Sequence, residues 1–400
     1  MSENYSFRSL VDEIGKSPRD FTKKDIVKFI RDNEIRHINF QYPAGDGRLK
    51  TLNFVINDGD YLEEILSCGE RVDGSSLFPF IEANNSDLYV VPKFRTAYMD
   101  PFCELPTLNF LCSFFNKDGN PLESSPEYTL HKACEAFKKT TGMEFQAMGE
   151  LEYYVIAPDD EAYPAVDQKG YHESAPYAKF GEFRQLCMNY IARTGGLIKY
   201  GHSEVGNFAL DGNIYEQNEI EFLPVNAEEA AEQLTIAKWV IRNLAYQEGL
   251  DVTFAPKITV GKAGSGLHVH FRIMKDGFNQ MLKDGALSDD AKRAIAGMMT
   301  LAPSITAFGN TNPTSYIHIC ILQLLQISGQ AADFFVTGHG VDGHMDLNTV
   351  AVGKFHGLWQ LLRSEVTCEG AHTEVGTSQI YRIRAIQNGH FQPFHIAGGA

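Results

Sequence analysis

Three stretches of this chain alternate metal-ligand side chains with apolar ones at a period of two, and that pattern constrains the fold more than any other feature. In MGELEYYV, Glu150 and Glu152 alternate with Leu151 and Tyr153. In QNEIEFLP, Glu219 and Glu221 alternate with Ile220 and Phe222; in GSGLHVHF, His268 and His270 alternate with Leu267, Val269 and Phe271. A β-strand sends successive side chains to opposite faces. Each stretch therefore predicts a strand with one polar face and one apolar, buried face. One such pair alone reads more readily as the wet face of a half-exposed strand. Three pairs in one chain, joined by His202-Ser203-Glu204, point to a shared cavity. Paired carboxylates facing one cavity repel each other and resist desolvation, which a divalent cation relieves. An oxygen-rich donor set with one imidazole suits Mg2+ or Mn2+ better than zinc.

The 400 residues exceed what one core usually holds, so two domains are expected. The net charge of −16 disfavours nucleic acid and anionic membranes as partners. The N-terminus is polar, without the apolar run of a signal peptide, and no stretch approaches the roughly 20 apolar residues of a membrane span. The 7 cysteines are scattered, with no CxxC pair, as reduced thiols of a cytoplasmic protein would be.

A first α+β domain is predicted over 22–105. It opens with an amphipathic helix, TKKDIVKFIRDN, with Ile26, Phe29 and Ile30 on one face. Strands HINFQYP and TLNFVI follow, split by Ala44-Gly45-Asp46-Gly47. A second domain is predicted over 106–316. Its helices start at Ser125-Pro126, at Asn226 with Glu229 in the capping-box position, and at Ser288, the last running to about Phe308. Gly249 stops the long middle helix. GKAGSG at 261–266 is glycine-rich, but no Lys-Ser/Thr follows its last glycine, so it reads as a turn before a strand. VDGSS at 72–76 reads as a turn, and Cys134 and Cys187 as core positions in helices. No Ser/His/Asp or Cys/His arrangement is legible.

Taken in order, these segments resemble glutamine synthetase of the bacterial type. VDGSS is similar to the family's F-D-G-S-S element, and SDLYVVP with TAYMDPF to its S-D-M-x-L-x-P and T-A-x-x-D-P-F. GELEYYV is similar to P-E-x-E-F-F-L, and GHSEVG and QNEIEF to H-x-E-V-A and Q-x-E-I. GSGLHVHFRIMKDG is similar to G-S-G-M-H-x-H-x-S-L-x-x-x-G, and NTNPTSY to A-N-P-T-x-N-S-Y. Each motif is weak alone; their order over about 22–316 carries the resemblance.

The resemblance implies a β-grasp N-terminal domain joined to a larger α/β catalytic domain with a curved antiparallel sheet. It implies ATP-dependent ligation of ammonia to glutamate through γ-glutamyl phosphate, with Mg2+ or Mn2+ holding the phosphates. Glu152, Glu204 and Glu219 would bind the metal near glutamate, and Glu150 and His268 the metal near the ATP phosphates. His270 would contact the phosphates, and Gly264 would offer backbone to glutamate. Asp73 and Ser76 would take a proton from ammonium across a subunit boundary, with Tyr171 an aromatic near that site. The implied assembly is a homo-oligomeric ring whose active sites are shared between neighbours.

The chain departs from the family pattern at several places. Ala263 replaces the usual Asn before G-S-G, FALDGNIYE lengthens the interval between Glu204 and Glu219, and Phe222 is not where the adenine-side aromatic would fall. After Tyr316 the K-R-L-V-P, E-A-P, N-R-S-A and R-x-E-x-R-x-P-D motifs are absent, and 317–400 is left unassigned; YRIRAIQ has arginines but no glutamate between them. Two other readings therefore stand beside the ligase: a family member that binds metal and nucleotide with impaired or no catalysis, and a γ-glutamyl ligase for another amine.

Overall fold

The computed structural model describes residues 9–318 apart from 161, and the short strands 350–351, 382–387 and 390–395. Most of the unassigned 317–400 segment thus lies outside the described residues. In chain order the main elements are helix α1 (Lys23–Asp32), strands β1 (His37–Pro43) and β2 (Leu49–Val55), helix α2 (Gly59–Cys68), and strands β3 (Glu70–Asp73), β4 (Asp87–Pro92) and β5 (Thr107–Asn116). Helix α3 (Pro126–Thr141), strand β6 (Glu144–Pro158), helix α4 (Gly181–Arg193) and strands β7 (Ile198–Leu210) and β8 (Asn213–Phe222) follow. Helix α5 (Ala227–Gln247), strand β9 (Leu267–Lys275) and helices α6 (Asp289–Gly309) and α7 (Pro313–His318) complete the set. The chain divides into two units. One holds the described residues up to Thr141 with Glu182–Gly201 and Val225–Asp251; the other holds Gly142–Gly181, His202–Pro224 and the described residues from Val252 on.

The first unit carries a mixed sheet in the order β2-β1-β5-β4-β3, with β1 and β5 parallel and the other pairs antiparallel. Ile26, Phe29 and Ile30 of α1 share a core with Ile38, Phe40, Phe110 and Phe114 of the strands and Ile65 of α2. This is a β-grasp arrangement. Thr22 and Asp25 form the reciprocal capping box that starts α1. The sheet continues beyond the domain end expected near residue 105. Leu108 and Phe110 of β5 are fully buried, and β5 lies in the middle of the sheet. Its parallel partner is some 70 residues earlier, a pairing that no local pattern announces. A ladder of side-chain amides crosses these strands: Asn53 donates to Asn39 (2.7 Å), Asn39 to Asn109 (2.9 Å), and Asn109 to the Asp100 carboxylate (2.9 Å). Helix α5 belongs to this unit, and Trp239 packs edge-on against Tyr98 and Phe102. Asn226 caps α5 by accepting from the Glu228 N–H (3.0 Å), while the Glu229 carboxylate, expected in a capping box, receives Arg19 at 2.6 and 3.0 Å. Gly249 ends the turn after α5 with φ +68.

The second unit is built on a curved antiparallel sheet in the order Phe278–Asn279, β9, β6, β8, β7. Central β6 is buried on both faces from Ala147 to Val155. One expectation fails on β9. Leu267 and Val269, on its apolar face, are 43% and 38% exposed, whereas His270 on the polar face is buried. The imidazoles are drawn in by carboxylates of the neighbouring strand, so near its start β9 buries the face that a hydrophobic pattern would leave outside. The lengthening segment FALDGNIYE forms a hairpin tip: β7 runs to Leu210, β8 starts at Asn213, and Asp211 and Gly212 turn with φ +51 and +76. The Phe208 and Tyr215 rings stack across this hairpin at 4.8 Å. Ser288 caps α6 by accepting from the Ala291 N–H. Cys187 is buried as expected and Cys134 only half-buried. Among the described residues no disulfide forms, and no helix is long and apolar enough to cross a membrane.

Candidate metal and substrate site

The strand register of the second unit sets the polar residues in rows. Glu150 of β6 stands opposite both His268 of β9 and Glu221 of β8, and Glu152 stands opposite Glu219. Directly opposed residues share a face, so six carboxylate and imidazole groups, counting His270, line one side of three strands. The face is covered: Glu150, Glu152, Glu219 and Glu221 are each at most 9% exposed. This is not the wet side of a half-exposed strand.

Both oxygens of Glu150 are engaged. His268 Nδ1 lies 2.7 Å from one, and His270 Nε2 is hydrogen-bonded to the other. Burial alone would push the Glu150 carboxyl up, yet these imidazoles outweigh it and hold the group below the ordinary carboxylate range. Burial likewise opposes charge on His268, but Glu150 and Glu152 lift it to about 9. Glu152 is pushed the other way, up to about 7, first by burial and then by the charges of Glu219 and Glu204 against the pull of His268 and the Gly266 N–H. One Glu152 oxygen accepts from the Gly266 N–H (2.9 Å) and the Gln217 amide (2.8 Å); the other lies 3.8 Å from His268 Nδ1. Burial, then the Glu219 charge, raises Glu204 as well.

A second cluster lies along β7 and β8. Ligand atoms of His202, Glu219 and Glu221 lie within 4.8 Å of one another. His202 Nδ1 is 3.0 Å from the Ser203 carbonyl, which can only accept, so the ring donates there and turns Nε2 toward Glu219 at 3.7 Å. The donor set passes the test for Mg2+ or Mn2+: it is rich in carboxylate, buried, and supplied with imidazole nitrogens oriented by a second contact. His202 and Glu221 extend the ligand set expected from the sequence. Glu221 was visible in the alternation with Glu219, and His202 in the HSE triplet.

The loop before β9 is tied down at successive residues. Tyr154 Oη donates to the Ala263 carbonyl (2.9 Å), Ala263 N–H donates to Gln168 (2.6 Å), and Ser265 N–H donates to the Pro256 carbonyl (3.0 Å). The Gly264 carbonyl accepts from Gln217 at 3.0 Å. A side chain at Gly266 would press on Glu152 and His268, since its Cβ would lie 3.0 Å and 2.8 Å from their polar atoms. Tyr171 is 57% exposed and stacks on His172 (ring centroids 4.1 Å), with its edge toward His202 at 5.4 Å. Burial and then Glu204 and Glu219 raise the Tyr171 phenol.

Asp73 and Ser76 belong to the first unit. Asp73 ends β3 and caps the single 3-10 turn Gly74–Ser76, accepting from the Ser76 hydroxyl (2.6 Å), the Ser75 hydroxyl (2.7 Å) and the Ser75 N–H (3.1 Å). The Ser76 and Ser75 hydroxyls hold this carboxyl well below the ordinary range.

Comparison with known proteins places the chain and its fold. A family model described as the catalytic domain of glutamine synthetase matches residues 123–321, and one for its beta-Grasp domain matches 34–117. The chain is 29% identical over 307 residues to glutamine synthetase of Thermus thermophilus, covering 74% of this chain and 66% of that protein. It is 27% identical over 300 residues to that of Methanococcus maripaludis, covering 72% and 66%. The chain thus spans just under two thirds of the length of these relatives. Among solved structures, a cryo-EM Plasmodium falciparum glutamine synthetase superposes with TM-score 0.71 at 16% identity, over 87% of this chain and 76% of that one. A GmaS/ADP complex superposes with TM-score 0.63 at 19% identity, over 72% and 66%.

Proposed function

The chain belongs to the glutamine synthetase family, and on that premise we propose that it ligates ammonia to glutamate in an ATP-dependent reaction through γ-glutamyl phosphate. The observation that carries the proposal is the register placing Glu152 opposite Glu219 and Glu150 between His268 and Glu221 on one covered face. Similarity to a protein solved with ADP supports a nucleotide as one substrate.

In the first step the glutamate γ-carboxylate oxygen bonds to the γ-phosphorus of ATP and the bond to the bridging oxygen breaks, releasing ADP. In the second, the ammonia nitrogen bonds to the γ-carbonyl carbon, phosphate leaves, and the protons shed by nitrogen pass to a base. Mg2+ or Mn2+, when bound, would offset the charge of the phosphates. Glu152, Glu204 and Glu219, with His202 and Glu221, would hold the cation nearer glutamate; Glu150 and His268 would hold the one nearer the nucleotide. His270 would face the phosphates, its ring fixed by Glu150. The backbone of Gly264 would meet glutamate from a loop that is already rigid. Asp73, kept ionised by Ser75 and Ser76, would attract ammonium and receive its proton, with Ser76 holding the carboxylate in place and Tyr171 as an aromatic wall. This role takes a homo-oligomeric ring in which Asp73 serves a neighbouring copy. We place the protein in the cytoplasm, where ATP and glutamate are pooled.

The test is phosphate release from ATP with Mg2+, glutamate and ammonia, each omitted in turn. The expected result is release that requires all of them. Release no greater than in the glutamate-free control would overturn the ligase; Mn2+ binding retained alongside that result would mark a binding protein without turnover.

A further inference from the structure

Gln217 sits two residues before Glu219 on β8, on the same face, and is 1% exposed. Both ends of its amide are engaged. Nε2 donates to Glu152 Oε2 (2.8 Å) and to the Gly264 carbonyl (3.0 Å), with Ser265 Oγ at 3.4 Å. Oε1 accepts from the Gly206 N–H at 3.0 Å. The slot is built for this group. A Cβ at Gly206 would lie 2.6 Å from Gln217 Oε1 and 1.8 Å from Tyr154 Oη, so the amide fits only because residue 206 has no side chain.

Two consequences follow for the neighbours. Glu152 Oε2 accepts from both Gln217 and the Gly266 N–H, which leaves Oε1 as the oxygen turned toward His268. The Gly264 carbonyl is held on the Gln217 side of its peptide plane, which fixes the direction of the adjoining backbone. A neutral amide can do both jobs. A carboxylate at 217 would have no hydrogen to donate, and an alkyl chain would leave two buried acceptors short of a partner.

We propose that Gln217 is a positioning residue: it makes Glu152 present a single oxygen to the cation-facing side and fixes the 264–266 backbone against the same carboxylate. Cation affinity and the binding of the amino-acid substrate are thereby coupled through one side chain. The naming of that substrate rests on the ligase reading above; the claim about Glu152 does not.

The experiment titrates the full chain with Mn2+ alone, following the free-ion electron paramagnetic resonance signal, for wild type, Gln217→Leu and Gln217→Met, with circular dichroism and melting temperature recorded on each. The nearly isosteric Gln217→Met keeps the test available if Gln217→Leu does not fold. The expected result is Mn2+ affinity lower by about 10- to 100-fold in the variants, and a higher KM for glutamate alongside lower kcat wherever turnover is measured. Wild-type Mn2+ affinity in a folded variant overturns the inference even if its melting temperature falls, because a merely structural role predicts that pattern. Absence of Mn2+ binding by wild type also overturns it. Gln217-dependent Mn2+ affinity in a protein that releases no glutamate-dependent phosphate upholds the inference and removes the ligase reading instead.

Discussion

Glu152 and Glu219 face each other across adjacent antiparallel strands, both more than nine-tenths buried. Two carboxylates so placed repel unless a proton or a cation lies between them. Glu152→Gln is therefore expected to raise the melting temperature of the cation-free protein and to reduce the stabilisation that Mn2+ gives wild type, which for one site is about 2.7 kcal/mol at a concentration 100 times Kd. Thermal melts with and without Mn2+ check this. Ligase activity is expected to vanish in the same variant, and unchanged turnover would contradict the assignment of Glu152.

Gly206 admits no side chain, because Tyr154 Oη occupies the position its Cβ would take. Gly206→Ala is expected to lose about 1–3 kcal/mol of stability. Tyr154→Phe removes the closest clashing atom, so the double variant should recover part of that loss. Urea unfolding of the four proteins in a double-mutant cycle reads the coupling; strict additivity would show that the clash is not where the geometry puts it.

The Asp25 carboxyl in the α1 capping box is held at about 2 by Lys16 and then by Thr22. Its folded value is below its unfolded one, so its stabilising contribution is complete above roughly pH 4 and is lost as pH falls through about 2. Asp25→Asn should lower the melting temperature near neutral pH, and the gap from wild type should narrow steadily on acidification below roughly pH 4. A gap that widens in acid would have the wrong sign.

Asn109 is wholly buried between Asn39 and Asp100 in the amide ladder of the first sheet. Asn109→Ala leaves the buried Asn39 amide donor without this partner, at a cost of about 1–3 kcal/mol, and takes one donor from the half-buried Asp100 carboxylate. Denaturant unfolding of the first unit's signal, reported by Trp239 against Tyr98, measures it. A change under about 0.5 kcal/mol, the range of an ordinary surface substitution, would mean that other groups take over the pairing.

Local chemistry was legible where the cause is local. The apolar face of α1, the stop at Gly249 and the two-residue alternation on β6, β8 and β9 follow from backbone geometry and side-chain size. What depends on distant partners was not. The place of β5 beside β1 is settled by a core assembled from both ends of the unit. The inversion of β9, with Leu267 outside and His270 inside, is decided by Glu150 on another strand. Glu229 left its expected cap for Arg19, 210 residues away in sequence. The role of Gln217 is hidden in its motif, since nothing within its own strand reveals that it reaches Glu152 and Gly264 at once.

The arm that ends at Asp211-Gly212 can change length without disturbing the acidic residues at its base. In a hairpin closed by a two-residue turn, an unbroken ladder counted back from Leu210 and Asn213 brings Glu204 level with Glu219. Adding or trimming matched residues on both sides of the tip only slides the turn outward or inward. Removing an odd residue from one side would rotate every ligand on that side to the wrong surface. The tip is thus a place for an epitope or a fluorophore, provided that the two limbs are altered in equal measure.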